Sequence, residues 1–318
     1  MTDSAPRIGI IGAGAIGGFY GLMLARAGHD VHFLMRGDYE AVREHGLSLK
    51  SSDFGDFRLS DTQVYRDVAQ MPVCDLLLVA AKTTSNQALA PLIAQAAAPG
   101  ATVLLLQNGL GVEDEMRARL PRHLHLLGGL CMVSVHRRGA GLIEHCGFGS
   151  INIGYHSGAD GEEAQRVMSR ILSLFAKAGI DVPLMENLAR ARWQKLVMNI
   201  PFNGLSVVLD SGTLAMRAQQ EVRVLLRELM DEVVAGAAAC GHDLGVAFVD
   251  EAWAATDGNA DFQPSMYLDY KAGRELELHA IYEAPLQAAQ AAGYRMVKIE
   301  MLYQTLCFLD QRNRTCAR

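Results

Sequence analysis

The chain has 318 residues, enough to split into two domains rather than grow a single core. Half are hydrophobic and a fifth are charged, with 29 Lys+Arg against 35 Asp+Glu and a net charge of −6, the balance of an ordinary globular protein. No basic tract or Lys/Arg-rich stripe stands out, which argues against a nucleic-acid partner. The six cysteines (74, 131, 146, 240, 307, 316) form no CxxC pair and no zinc-ligand spacing, so reduced thiols and no metal are expected. Residues 1–7 are short and polar and lack the basic start of a signal peptide. Six glycines interrupt the apolar stretch 8–24, too many for a span of ~20 mostly apolar residues, and a cytoplasmic location is expected.

In chain order, 7–11 (RIGII) is a short apolar run read as a first strand. Residues 15–27 carry apolar side chains at helical spacing and stop at Gly28, and 31–35 (VHFLM) is a second strand. Strand, Gly-rich turn, helix and strand make a βαβ unit, whose crossover implies a parallel sheet and an α/β fold class. The segment 47–59 alternates like a hairpin and 75–82 is a buried strand. Residues 84–98 form an Ala-rich helix, Pro99-Gly100 a turn, and 101–109 a further buried strand. Strand-like material follows at 124–139 and 141–155, then a helix at 161–178 and a closing segment at 179–185. From about residue 187 helical periodicity takes over, at 188–200, 213–240, 246–255, 269–292 and 295–310. The expected division is therefore 1–187 for a nucleotide-binding domain and 188–318 for a helical substrate-binding and catalytic domain.

Gly12-Ala13-Gly14-Ala15-Ile16-Gly17 is a complete GxGxxG, placed between an apolar strand and a helix with another strand to follow. In that context Gly12 suits the tight turn, Gly14 the approach of a pyrophosphate to the backbone, and Gly17 close helix–strand packing. The phosphates would lie on the helix N-terminus, where unpaired N–H groups and the dipole favour an anion. An NAD site would place Asp or Glu at the end of the second strand. This chain reads Leu34-Met35-Arg36, which favours NADP(H), with Arg36 either on the 2′-phosphate or only a solvated charge past the strand. Lys82 and Asn108 stand at other C-terminal strand ends, where open α/β sheets place their ligands. Lys82 either supports Arg36 or is a loop cation. Asn108 either meets the nicotinamide ribose or substrate, or is Asn-Gly turn chemistry.

In the second half, Lys195, Asn199 and Asn203 recur every four residues, so they share a helix face, and the residues between them are apolar. Polar groups in such a setting need partners, and a polar substrate would supply them. Pro201 lacks an N–H and should bend this helix. Ser265 precedes a further helix and suits its N-cap, while Glu277 falls either on the inner face of that helix or on the surface; spacing alone joins neither to Lys195.

Taken together, GxGAIG at 12–17, Arg36, Lys82, QNG at 107–109, K-xxx-N-xxx-N at 195–203 and Ser265-Met266 with Glu277 resemble the ketopantoate reductase family over nearly the whole length. The resemblance implies a Rossmann-type parallel-sheet domain followed by an all-helical domain with the cleft between them, and reduction of 2-dehydropantoate by NADPH. It implies Lys195 as general acid with Glu277 beside it, and Asn199, Asn203 and Ser265 on the carboxylate and hydroxyl of the substrate. It further implies Arg36 and Lys82 at the 2′-phosphate, and Asn108 between cofactor and substrate. The chain departs from the family pattern in three places. Ala280-Ile281-Tyr282-Glu283 stands where many members have Asn-Gly, Pro201 falls between the two asparagines, and His279 stands where an acidic residue is frequent.

Rival readings are a reductase of another 2-oxo acid with the same machinery, a non-catalytic NADPH-binding redox sensor, and, more distantly, a 3-hydroxyacid or 6-phosphogluconate-type dehydrogenase. The helical half could also hold a homodimer interface, although apolar helix faces are more often core.

Overall fold

The structure, a computed structural model, describes residues 5–256 and 261–316, without the side chain of Cys316. Residues 1–4 of the polar N-terminal stretch, 257–260 and 317–318 of the second half, and the Cys316 thiol lie outside the described residues. The chain divides into two compact units, Met1–Gln107 with Val112–Leu188, and Asn108–Gly111 with Ala189–Arg318.

A nine-stranded sheet carries the first unit. Its strands are β1 (Arg7–Ile11), β2 (Asp30–Leu34), β3 (Leu47–Ser51), β4 (Phe57–Leu59), β5 (Gln63–Tyr65), β6 (Cys74–Val79), β7 (Ala97–Leu105), β8 (His125–Gly139) and β9 (Leu142–Ser157). The helices are α1 (Ala15–Arg26), α2 (Tyr39–His45), α3 (Asn86–Ala96), α4 (Val112–Arg117) and α5 (Gly161–Lys177). Across the sheet the strands run β4-β3-β9-β8-β7-β6-β1-β2-β5. From β5 to β8 every pairing is parallel. Those six strands, counted in chain order, lie 3-2-1-4-5-6, the Rossmann order, which reverses between β1 and β6. Strands buried on both faces read as continuous apolar runs, and Ile8, Ile10 and Ile11 with Leu76–Val79 are all within 1% of full burial. Phe19, Tyr20, Leu22 and Leu24 of α1 join the same core, where Tyr20 meets Phe175 of α5 edge-on at 6.1 Å.

Some local expectations shift. The helix α2 and the edge strand β5 are additions to the elements expected between 36 and 74. The Pro99-Gly100 turn lies inside β7 as an irregularity, with Gly100 at φ +72° and the β6 register broken between Cys74 and Leu76. The closing segment runs beside β9, with the Ile153 N–H on Pro183 O and the Met185 N–H on Ile153 O.

The second unit is helical, with no strand among its described residues: α6 (Leu188–Val208), α7 (Thr213–Ala218), α8 (Gln220–Ala239), α9 (Phe248–Ala254), α10 (Ser265–Lys271), a π turn (His279–Glu283), α11 (Ala284–Ala291) and α12 (Val297–Cys316). Trp193, Leu196, Val197 and Ile200 of α6 pack with Leu226, Leu229, Met230 and Val233 of α8 and with Ile299, Leu302 and Leu306 of α12. The three- and four-residue spacing of these positions is the stripe that turns each helix inward. No described helix is long and apolar enough to cross a membrane. Cys74, Cys131, Cys146, Cys240 and Cys307 are free thiols.

Two helix expectations are corrected. The helix expected over 188–200 runs on through Pro201 to Val208. The expected helix over 269–292 is interrupted: α10 stops at Lys271, Gly273 turns the chain at φ +65°, and helical geometry resumes only after Glu277.

Candidate functional site

At the carboxyl ends of β1 and β6 two loops meet. Gly12 sits at φ +93°, and a Cβ there would lie 2.6 Å from the Ala81 backbone nitrogen, so only glycine fits. At Gly17 a Cβ would lie 2.3 Å from Gly12 O, which is how α1 packs so closely over the strand end. Gly14 is different: a Cβ there would meet nothing within 4 Å. It opens α1, whose first turn has no side-chain cap and no acidic residue. Unpaired N–H groups facing open space beside a glycine fit a dinucleotide pyrophosphate. Ala13, Ala15 and Ile16, the remaining fingerprint positions, are half-buried in the same turn.

Lys82, half-buried, lies three residues past β6 at the start of a single 3-10 turn. Gln107 fixes that loop, since its buried amide donates to Ala81 O at 2.8 Å and to Asn86 Oδ1 at 2.7 Å. Arg36, two residues past β2, is exposed and makes no hydrogen bond or ion pair with a described residue. The acids closest in sequence are already used: Asp38 pairs with Arg137, and Glu40 with Arg43 and Arg66. A cation left unneutralised at this strand end is suited to an incoming phosphate.

In the second unit α6 carries Lys195 and Asn199, both half-buried, and Asn203, 5% exposed, at a four-residue repeat. The Met266 N–H donates to Asn203 Oδ1 at 3.2 Å, tying α6 to the first turn of α10. This contact also sets the amide's orientation, because an N–H must face the oxygen, and it leaves the Asn203 NH₂ as the donor. Ser265, the first residue of α10, is exposed and makes no capping bond; Pro264 holds the N-cap position. Glu277 is 4% exposed, in the irregular stretch ahead of the π turn rather than on a helix face, and the Leu278 N–H folds back onto Leu276 O across it. That stretch is held from both sides. Leu276 N–H donates to the buried Asp310 carboxylate at 3.1 Å, and Arg274 pairs with the buried Asp269 at 2.9 Å.

Asn108, half-buried, belongs to the short loop Asn108–Gly111, which packs with the second unit. Leu110 N–H donates to Ala280 O at 2.9 Å. Gly109 sits at φ +109°, where a Cβ would be 2.5 Å from that of Ala280. Three braces of these segments carry no signal in the sequence: Gln107, Asp310 and Tyr282. The Tyr282 hydroxyl donates to Ile200 O at 2.8 Å, and burial holds the phenol well above its usual pKa, so it stays protonated. Among the described residues no group of three or more His, Cys, Asp or Glu could hold a metal.

A family model described as Ketopantoate reductase PanE/ApbA matches residues 8–158, and one for its C-terminal part matches 187–309. A 2-dehydropantoate 2-reductase from Nostoc sp. is 44% identical over 310 residues, 97% of each chain. The chain belongs to the ketopantoate reductase family. Within solved structures, 2-dehydropantoate 2-reductase from Geobacter metallireducens superposes with a TM-score of 0.89 at 37% identity, covering 96% of this chain and 99% of that one. A ternary structure of D-mandelate dehydrogenase with NADH and anilino(oxo)acetate gives 0.85 at 21% identity, covering 96% and 99%, a likeness of fold. The family's N-terminal Rossmann domain and helical C-terminal domain match the architecture described above.

Proposed function

We propose that this member of the ketopantoate reductase family reduces 2-dehydropantoate to pantoate with NADPH, Lys195 acting as general acid. The observation that carries the reading is the polar set of the second unit: Lys195, Asn199 and Asn203 on one face of α6, the Asn203 amide tied to the start of α10 beside Ser265, and a buried Glu277. The Gly12–Gly17 cradle and Arg36, which pairs with no described residue, support NADPH as the reductant, with Lys82 as a second cation for the 2′-phosphate.

NADPH, when bound, supplies the hydride that reaches the 2-oxo carbon. Negative charge then grows on the carbonyl oxygen, which the Lys195 ammonium stabilises and to which it passes a proton, leaving a 2-hydroxy acid. Glu277 is assigned to orient that ammonium toward the carbonyl oxygen. The Asn203 NH₂, the Asn199 amide and the Ser265 hydroxyl bind the substrate's carboxylate and hydroxyl, and Asn108 bridges cofactor and substrate. A small-molecule substrate and a cytoplasmic location are part of the same proposal, as is a homodimer.

A second reading, another 2-oxo acid handled by the same groups, is favoured by the departure at Ala280–Tyr282. One experiment separates the readings: NADPH oxidation with purified protein over a panel of 2-oxo acids that includes ketopantoate. Ketopantoate as the best substrate supports the proposal, and a different preferred acid supports the second reading. NADPH binding without turnover of any of them would refute both and favour a redox sensor.

A further inference from the structure

Two of the three departures from the family pattern meet in space. Pro201 interrupts the ladder of α6, because it has no N–H for the Val197 carbonyl and its ring crowds that oxygen. On the residue just before it, the Ile200 carbonyl accepts the Tyr282 hydroxyl at 2.8 Å. One turn on, Gly204 leaves the room this needs: a Cβ there would lie 2.7 Å from the Tyr282 oxygen and 2.7 Å from Leu302. Tyr282 is fully buried, so its hydroxyl has no water to turn to.

The element that delivers Tyr282 is the π turn His279–Glu283, a rare geometry that occurs frequently at functional sites. It starts two residues after Glu277. Its Ala280 carbonyl holds Leu110 in the Asn108 loop, and its Tyr282 holds α6. One turn thus bonds to three of the four segments bearing proposed site residues of the second unit: the Asn108 loop, α6 and, through the Ile281 N–H on Glu277 O, the Glu277 stretch.

We propose that Tyr282 is a positioning residue, its hydroxyl locking α6 at the proline step so that Lys195 and Asn199 on one side keep register with Asn203 and with Glu277; this rests on the reading of Lys195 as proton donor. The lever is long. Lys195 precedes the step by six residues, about 9 Å along the axis, so a hinge of about 10° would move it about 1.5 Å. A misplacement of ~1 Å can cost on the order of 100-fold in rate.

Tyr282→Phe keeps the ring and removes one oxygen. Leu226→Val, a trim of a fully buried α8 side chain, is the control for lost stability alone. In Tyr282→Phe, kcat for 2-oxo acid reduction should fall about tenfold or more, while the NADPH Kd and the KM for the oxo acid stay within about twofold. Leu226→Val should melt at lower temperature yet keep its kcat. In ligand-free protein, hydrogen–deuterium exchange at amides 202–205 should speed up about tenfold in Tyr282→Phe and not in the control. A kcat that follows the control, or unaltered exchange at 202–205, overturns the assignment. A wild-type chain inactive on every oxo acid would remove the proton-donor reading instead, and the exchange measurement would still decide whether Tyr282 clamps the helix.

Discussion

Alanine at position 14 should separate a glycine kept for its ligand from glycines kept for the fold. Gly14 has φ −75° and ψ −152°, an extended conformation that does not require glycine, and a methyl there meets no protein atom within 4 Å. The folded state therefore loses nothing, and the unfolded chain loses freedom, so stability should hold or rise by ~0.4–1 kcal/mol. Binding should move the other way. The methyl enters the space through which a phosphate oxygen reaches the N–H groups of α1, and losing one charge-assisted hydrogen bond costs ~1.5–3 kcal/mol. That is about 10- to 150-fold in the NADPH Kd. Gly17→Ala supplies the contrast. Its methyl would lie 2.3 Å from Gly12 O, and strain of ~1–3 kcal/mol should lower the melting temperature without any ligand. Thermal unfolding of ligand-free protein and calorimetric titration with NADPH measure both arms. A Gly14→Ala protein that binds NADPH as tightly as the parent would refute the cradle.

Removing the guanidinium in Arg36→Ala should weaken NADPH about 10- to 150-fold and leave NADH nearly unchanged in paired titrations, one charged hydrogen bond being worth that much; equal losses would exclude a 2′-phosphate contact. Lys195→Ala should lower turnover about 10²- to 10⁴-fold with NADPH binding intact, and a fully active variant would take Lys195 out of the reaction. Burial, with Arg138 close by, depresses the His136 pKa, and burial with Lys177 does the same to His29. Both imidazoles are therefore neutral in the fold while the unfolded chain takes up protons, so stability is complete above about pH 6.5 and falls as the pH drops below it. Melting curves from pH 8 to 5.5 should show that loss, and His136→Gln with His29→Gln should flatten it; an unchanged slope would count against these two groups.

The sheet half was legible because its signals are local. Three glycines, an apolar strand before them and a missing carboxylate after the next strand can be read within thirty residues, and the parallel order follows from the crossovers. What was missed there is short or overridden. The strand β5 is three residues at a sheet edge, too brief for an alternation to register. Pro99-Gly100 has the chemistry of a turn, yet pairing of the flanking residues with β6 draws both into β7. Tertiary pairing outweighs a two-residue preference.

In the helical half the period-four repeat of Lys195, Asn199 and Asn203 could be seen, whereas the alignment of those groups could not. Each bond that sets it joins distant residues: Tyr282 to Ile200, Leu276 to Asp310, Met266 to Asn203. The π turn leaves no periodic trace either, since a single widened turn shifts the apolar phase by one residue and then lets the helix continue. Gly273 was the one local clue that the helix through 269–292 had to stop, and it was outweighed by apolar spacing on both sides. The break has a consequence for chemistry. Were Glu277 inside a continuous helix, its position would be tied to the rotation of that helix. In an irregular stretch held by Asp310 on one side and the π turn on the other, a buried carboxylate is set by two separate anchors. Two such anchors support the role proposed for Glu277, because preorganised catalysis needs its charged groups held in place beforehand.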